Sequence, residues 1–236
     1  MRWVLGYVSA ILLLIVVISQ SVMMPAYVLP FFQVSYIQPE QIDLIGIYPE
    51  DLHYASDAVL LFIRGRHGTI ADFTFDFNGE EMAAFTPEEY RAVEGMQAWF
   101  SRLFVVRNVA FFMLVGIILG MALLRYPLRL VLSRCVREIM VLFLLLMVIL
   151  TVIVALNLGE AFEMIQLILF GEVVRAYMST GILSIWIQVL PTQFFAHLAI
   201  FMAGLSGGIA LILIVISSIY LRSLNRFDRY GQVIRL

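Results

Sequence analysis

Three histidines, His53, His67 and His197, are the side chains in this sequence that ordinarily change charge near neutrality, so proton transfer by an unperturbed group would fall to them. Each also has a plain structural role: His53 on the polar face of a helix, His67 in a loop between Arg66 and Gly68, and His197 as an anchor beside an apolar surface. The carboxylates crowd into one stretch, from Glu40 to Glu94. Cys135 is alone, among Arg134 and Arg137, so neither a disulfide nor a thiolate cluster can form, and a structural or lipid-modified thiol is the expected role. A Gly-rich phosphate loop and a His-Glu-x-x-His zinc pair are both absent, which argues against nucleotide hydrolysis and zinc peptidase chemistry. No metal and no cofactor is expected.

The elements that must position these residues are membrane helices. At 62% hydrophobic and 14% charged, the chain is too apolar for a soluble domain of its length. A span needs about 20 largely apolar residues, and four runs qualify: 3–23, 108–124, 139–156 and 194–221. Within these bounds no span carries Asp, Glu, Lys or Arg, which argues against proton relays and ion-coupled transport. Lysine is absent altogether. Arg2 precedes the first run, Arg125, Arg129, Arg134 and Arg137 fill the connection 125–138, and Arg222, Arg226, Arg229 and Arg235 follow the last. Because arginines in short loops set orientation, both termini and that loop are expected on the cytoplasmic side of the cell membrane, with the acidic segment 24–107 and segment 157–193 outside. The net charge of -2 and the lack of an outward basic patch give no reason to expect nucleic acid. The N-terminal run with Ser19-Gln20-Ser21 imitates a signal peptide, but it is longer than an ordinary apolar region of one and is expected to be retained.

The outward segment 24–107 has the local signals of a folded cap. Pro49-Glu50-Asp51 starts a helix with Leu52, Ala55, Val59, Phe62 and Ile63 on one face and a stop at Gly65. The run 72–77 alternates strictly and meets Asn78-Gly79, a two-residue hairpin turn. Thr86-Pro87-Glu88-Glu89 is a capping box opening a second helix, with Tyr90, Val93, Gln97, Phe100 and Phe104 at helical spacing and Trp99 flanking them. That helix is expected to run into the second span near Arg107. Segment 157–193 is apolar but interrupted by Glu160, Glu163, Glu172, Arg175, Gly181 and Pro191, and is expected to lie in the outer interface with Tyr177 and Trp186 at headgroup depth. Gly116/Gly120 and Gly204/Gly208 each form Gly-x-x-x-Gly, which predicts a close contact between the second and fourth spans. The fold class is therefore a single α-helical membrane domain over 1–236: a four-helix bundle with a small outward α+β cap between helices 1 and 2 and an interfacial segment between helices 3 and 4.

Three runs, taken in order and spacing, carry a resemblance. Tyr48-Pro49-Glu50-Asp51-Leu52 through Ile63-Arg64-Gly65 is similar to the first cap helix of the bacterial lipoprotein intramolecular transacylases and related integral membrane proteins. Phe85-Thr86-Pro87-Glu88-Glu89 resembles the start of the second cap helix, and Phe162 to Phe170 with Pro191-Thr192-Gln193-Phe194-Phe195 resembles the second outward motif. The resemblance implies transfer of the sn-2 acyl chain from the diacylglyceryl group on a lipoprotein's N-terminal cysteine to that cysteine's α-amine. It likewise implies membrane lipid and lipoprotein as partners. Where the family reads His-Met-x-Asp-Val, this chain has Ala92-Val93-Glu94-Gly95-Met96, and where the family has Phe-His it has Ile165-Gln166. Alanine cannot exchange a proton, and glutamine can only donate or accept a hydrogen bond. Two readings stay open. In one, Glu94, Glu163, Glu172 or a remaining histidine, His197 before His53 or His67, replaces the base, Gln166 stabilises the oxyanion, and Trp99, Phe170 and Trp186 bind the acyl substrate. In the other, the chain is an inactive relative that binds lipid or lipoprotein. A purely structural four-helix protein is a third.

Overall fold

A computed structural model describes residues 2–27, 57–66, 74–77, 80–83, 87–156 and 192–233. Four helices within it are long and apolar enough to cross a membrane, which makes the chain an α-helical, multi-pass membrane protein. They are α1 (Arg2–Met23), α2 (Pro87–Leu123), α3 (Leu128–Leu156) and α4 (Thr192–Val233). The chain divides into two compact units, one made of 1–21, 105–155 and 203–236, the other of 22–104 and 156–202.

In the first unit α1 is the central helix: 39% of its spanning window is buried, against 11% for each of the other three. Its Ala10 packs with Met121 of α2, Val131, Cys135, Met140 and Phe143 of α3, and Ala210 of α4, all buried. Leu12 packs separately with Ala110 and Leu114 of α2. The closest approach is at Gly6, where an added Cβ would stand 2.6 Å from Val131 Cγ1 and 2.8 Å from Cys135 Sγ. Only a residue without a side chain fits there. The outer faces of the other helices remain apolar and exposed, as at Phe112, Leu142, Val148 and Ile212, the surface that lipid tails would cover. Two buried hydroxyls of α1 are satisfied inside the helix, Ser9 Oγ donating to the Leu5 carbonyl at 2.9 Å and Ser21 Oγ to the Val17 carbonyl at 2.8 Å.

Several sequence expectations change in detail. The Gly-x-x-x-Gly contact is not formed: an added Cβ at Gly116, Gly120, Gly204 or Gly208 would meet nothing within 4 Å. Among the described glycines the close contact lies instead at Gly6, where α1 meets α3. The basic connection expected over 125–138 is helical from Leu128 onward. Its apolar residues recur every three or four positions (Leu128, Val131, Cys135, Ile139) and pack inward, while Arg129 and Arg134 stay exposed, so an amphipathic turn simply extends the span. α4 likewise continues beyond residue 221, to Val233.

α2 ends at a tight turn in which Tyr126 N–H donates to the Met121 carbonyl at 3.1 Å and Arg125 N–H to the Ala122 carbonyl at 3.0 Å. This is the Schellman pattern, which requires a left-handed residue, and Arg125 takes it with φ of 54°.

The second unit carries the cap. Strands β1 (Thr74–Phe77) and β2 (Glu80–Ala83) pair antiparallel with Phe77 opposite Glu80, the register of a two-residue hairpin. The helix 57–63 buries Ala58, Leu60, Phe62 and Ile63 and stops at Gly65, whose φ of 71° is left-handed as a glycine stop requires. The start of that helix, the Asn78-Gly79 turn, Thr86 and residues 157–191 lie outside the described residues.

Candidate functional site

The cap helix that opens α2 presents two faces. Tyr90, Val93, Gln97 and Phe100, the residues placed at helical spacing, are half-buried, while Arg91, Glu94 and Ala98 are exposed. The half-buried face packs on helix 57–63: the Tyr90 ring lies 6.1 Å from that of Phe62, and Gln97 Nε2 donates to the Phe62 carbonyl at 2.8 Å. That carbonyl also accepts the Gly65 N–H, so one glutamine ties the end of the first cap helix to the second. Arg64 stacks on Tyr27 with its guanidinium carbon 5.1 Å from the ring centre. Trp99 is 38% exposed and meets Phe100 edge-to-face at 6.1 Å, which leaves one side of the indole available to an apolar ligand.

Two polar clusters cross between helices of the first unit. Arg107 on α2 donates from Nη1 to Gln20 Oε1 of α1 at 2.8 Å, and from Nη2 to Asn108 Oδ1 at 3.1 Å. Nearer the start of α1, the Tyr7 hydroxyl donates to Glu138 of α3, whose other oxygen accepts from Arg134 Nε at 3.0 Å. Arg134 in turn stands 5.3 Å from the centre of the Trp3 ring, and Arg2 lies 5.8 Å from that same ring. These clusters fix the depth of α1 against its neighbours. Sequence reasoning missed both as partnerships. The available signal was that Gln20 and Arg107 sit at matching ends of two antiparallel apolar runs.

Of the residues expected to do chemistry, Glu94 is exposed on the opening turns of α2, and His197 is exposed on α4. Among the described residues no hydrogen bond or ion pair joins either of them to another side chain, and Glu94 is not the desolvated carboxylate that a base role would favour. Gln166, Glu163, Glu172, Phe170, Trp186, His53 and His67 lie outside the described residues. Among those described, no cluster of His, Cys, Asp and Glu could hold a metal ion. The letters Gly204-Leu205-Ser206-Gly207-Gly208 spell the hydrolase elbow pattern, yet they lie inside α4 rather than on a strand-to-helix turn. There Ser206 Oγ donates to the Ala203 carbonyl at 3.2 Å, which is ordinary helix packing.

The fold therefore defines a class, a membrane-integral bundle of four spans whose first two are separated by a helix–hairpin–helix cap. Solved structures share it. The chain is similar to the membrane integral lipoprotein intramolecular transacylase Lit from Bacillus cereus, with a TM-score of 0.69 at 11% identity over 96% of this chain and 98% of that one. A histidine-to-alanine variant of the same protein matches with a TM-score of 0.65 at 12% identity, covering 96% of each chain. A histidine-to-arginine variant gives 0.65 and 12%, covering 96% of this chain and 94% of that one. At such identity the likeness is one of fold alone. No protein-family model and no curated protein sequence matches the chain.

Proposed function

We propose that this chain is a divergent lipid-modifying membrane protein that acts on the acylated N-terminus of lipoproteins. The observation that carries the reading is the likeness in fold to a lipoprotein intramolecular transacylase along 96% of the chain, cap included. In this reading the arginine-rich ends of the helices face the cytoplasm and the cap faces the leaflet in which lipoproteins are anchored, following the asymmetry of arginine. The whole chain 1–236 works as one membrane domain, with the cap 24–107 and segment 157–193 enclosing the substrate.

The reaction breaks one ester on the glyceryl group and forms one amide on the cysteine. The α-amine attacks the ester carbonyl, the tetrahedral oxyanion collapses, and the glyceryl oxygen leaves with the proton that the amine gave up. In this account Glu163, Glu94 or His197 takes that proton, and the Gln166 amide donates to the oxyanion. Trp99, Phe170 and Trp186 hold the acyl chain. The exposure of Glu94 makes Glu163 the first candidate of the three to test.

A second reading, an inactive relative that binds lipid or lipoprotein without chemistry, draws on one observation. Alanine at 92 and glutamine at 166 occupy the positions where the resembled motif carries histidines. Fragment spectra of lipoprotein N-terminal peptides, from cells with and without this chain, separate the two. The transfer leaves total mass unchanged but moves an acyl chain from a base-labile ester to a base-stable amide. The enzyme reading expects the amide-linked chain only when the protein is present. Identical fragment patterns would leave the binding reading.

A further inference from the structure

The turn between α2 and α3 and the end of α4 form a second, cationic feature that the proposed reaction does not use. Tyr126, Pro127, Leu128, Arg129, Leu130 and Leu224 line an open notch of about 430 Å³ in the first unit. Its walls are mostly apolar, and Leu130 and Pro127 are exposed. Arg129 lies along the rim with its guanidinium carbon 6.0 Å from the centre of the Tyr220 ring, so its plane is held while its charge stays at the surface. Arg125 and Arg222 are exposed on the same turn and the same helix end. The nearest acid in the sequence on α3 is Glu138, and it is already bridged to Arg134. An apolar notch lined by Arg129, with Arg125 and Arg222 exposed within two residues of its lining, complements one membrane component: an anionic phospholipid, whose phosphate meets the guanidinium charge and whose chains continue along the exposed apolar faces of α3 and α4.

We propose that this notch is a binding site for an acidic phospholipid, distinct from the outward-facing reaction and independent of whether that reaction occurs. Selectivity comes from charge: a zwitterionic lipid offers the same chains and the same phosphate but brings its own cation to compete with the arginines. Two arginines at a surface favour an anionic headgroup by a combined factor on the order of tenfold to thirtyfold.

The test uses the full-length protein purified in a neutral detergent, with thermal unfolding and native mass spectrometry read against added phosphatidylglycerol or phosphatidylcholine. Phosphatidylglycerol is expected to raise the unfolding temperature and to be retained, with phosphatidylcholine doing markedly less, and raised salt should erase the difference. Arg129→Gln combined with Arg222→Gln should weaken phosphatidylglycerol binding on the order of tenfold or more. Leu224→Trp, which fills the notch and keeps every charge, should weaken it as well. Arg91→Gln, which removes an exposed charge in the other unit, should leave it unchanged. Equal effects of the two lipids on the wild-type protein would overturn the proposal, even where a variant fails to fold. So would full retention of selectivity by the double glutamine variant.

Discussion

At the scale of single residues, two glycines with opposite surroundings give the sharpest contrast. Gly6 has Val131 and Cys135 directly against it, whereas Gly116 faces open space. Gly6→Ala should therefore destabilise the bundle by about 1–3 kcal/mol through overpacking, while Gly116→Ala should be neutral or slightly stabilising because alanine is the better helix former. Thermal unfolding of both variants in the same detergent checks the pair, and equal melting temperatures would contradict the packing described for α1. The sequence suggested the reverse weighting, since Gly116 belongs to a Gly-x-x-x-Gly pair, whereas Gly6 has only the looser small-residue spacing to Ala10. A motif marks a face that can approach another helix. Which helix arrives there is decided by tertiary packing, and nothing in the local sequence encodes it.

At the scale of elements, the ends of helices were more legible than their contacts. Gly65 stops the first cap helix because glycine takes the left-handed conformation without strain. Arg125 ends α2 in the same conformation with a Cβ to accommodate. Arg125→Gly is accordingly expected to stabilise the turn by about 1 kcal/mol, visible as a small rise in unfolding temperature, and Arg125→Val should lower it. The hairpin and the apolar stripe of the second cap helix were also readable, because period-2 alternation and three-to-four spacing are local properties. The extension of α3 back to Leu128 was not. Arginines there suggested a loop, and the inward stripe of Leu128, Val131 and Cys135 outweighed them. The candidate site was the least legible part. Glu94 and His197 prove to be exposed, and what brings catalytic groups together is long-range placement, which spacing along one chain does not specify.

At the scale of the whole molecule, α1 packs as an integral part of the bundle. Ser19 and Ser21, which imitate a cleavage site, are buried, Gln20 binds Arg107, and Ala10 sits in the core shared with the other three helices. Intact-mass measurement of the purified membrane protein is expected to retain residues 2–23; a mature chain beginning after Ser21 would contradict that packing. In the proposed function this bundle and cap carry acyl transfer onto a lipoprotein's N-terminal amine without the histidines of the motif they resemble. The most direct measurement places the purified protein in liposomes with a synthetic diacylated lipopeptide bearing a free α-amine. The amine and the base-stable acyl chain are then followed over time at constant total mass. Loss of the free amine is expected, matched by a gain of amide-linked acyl chain and slowed by Gln166→Ala and by Glu163→Gln. A free amine that persists, with the lipopeptide bound but unchanged, would contradict it.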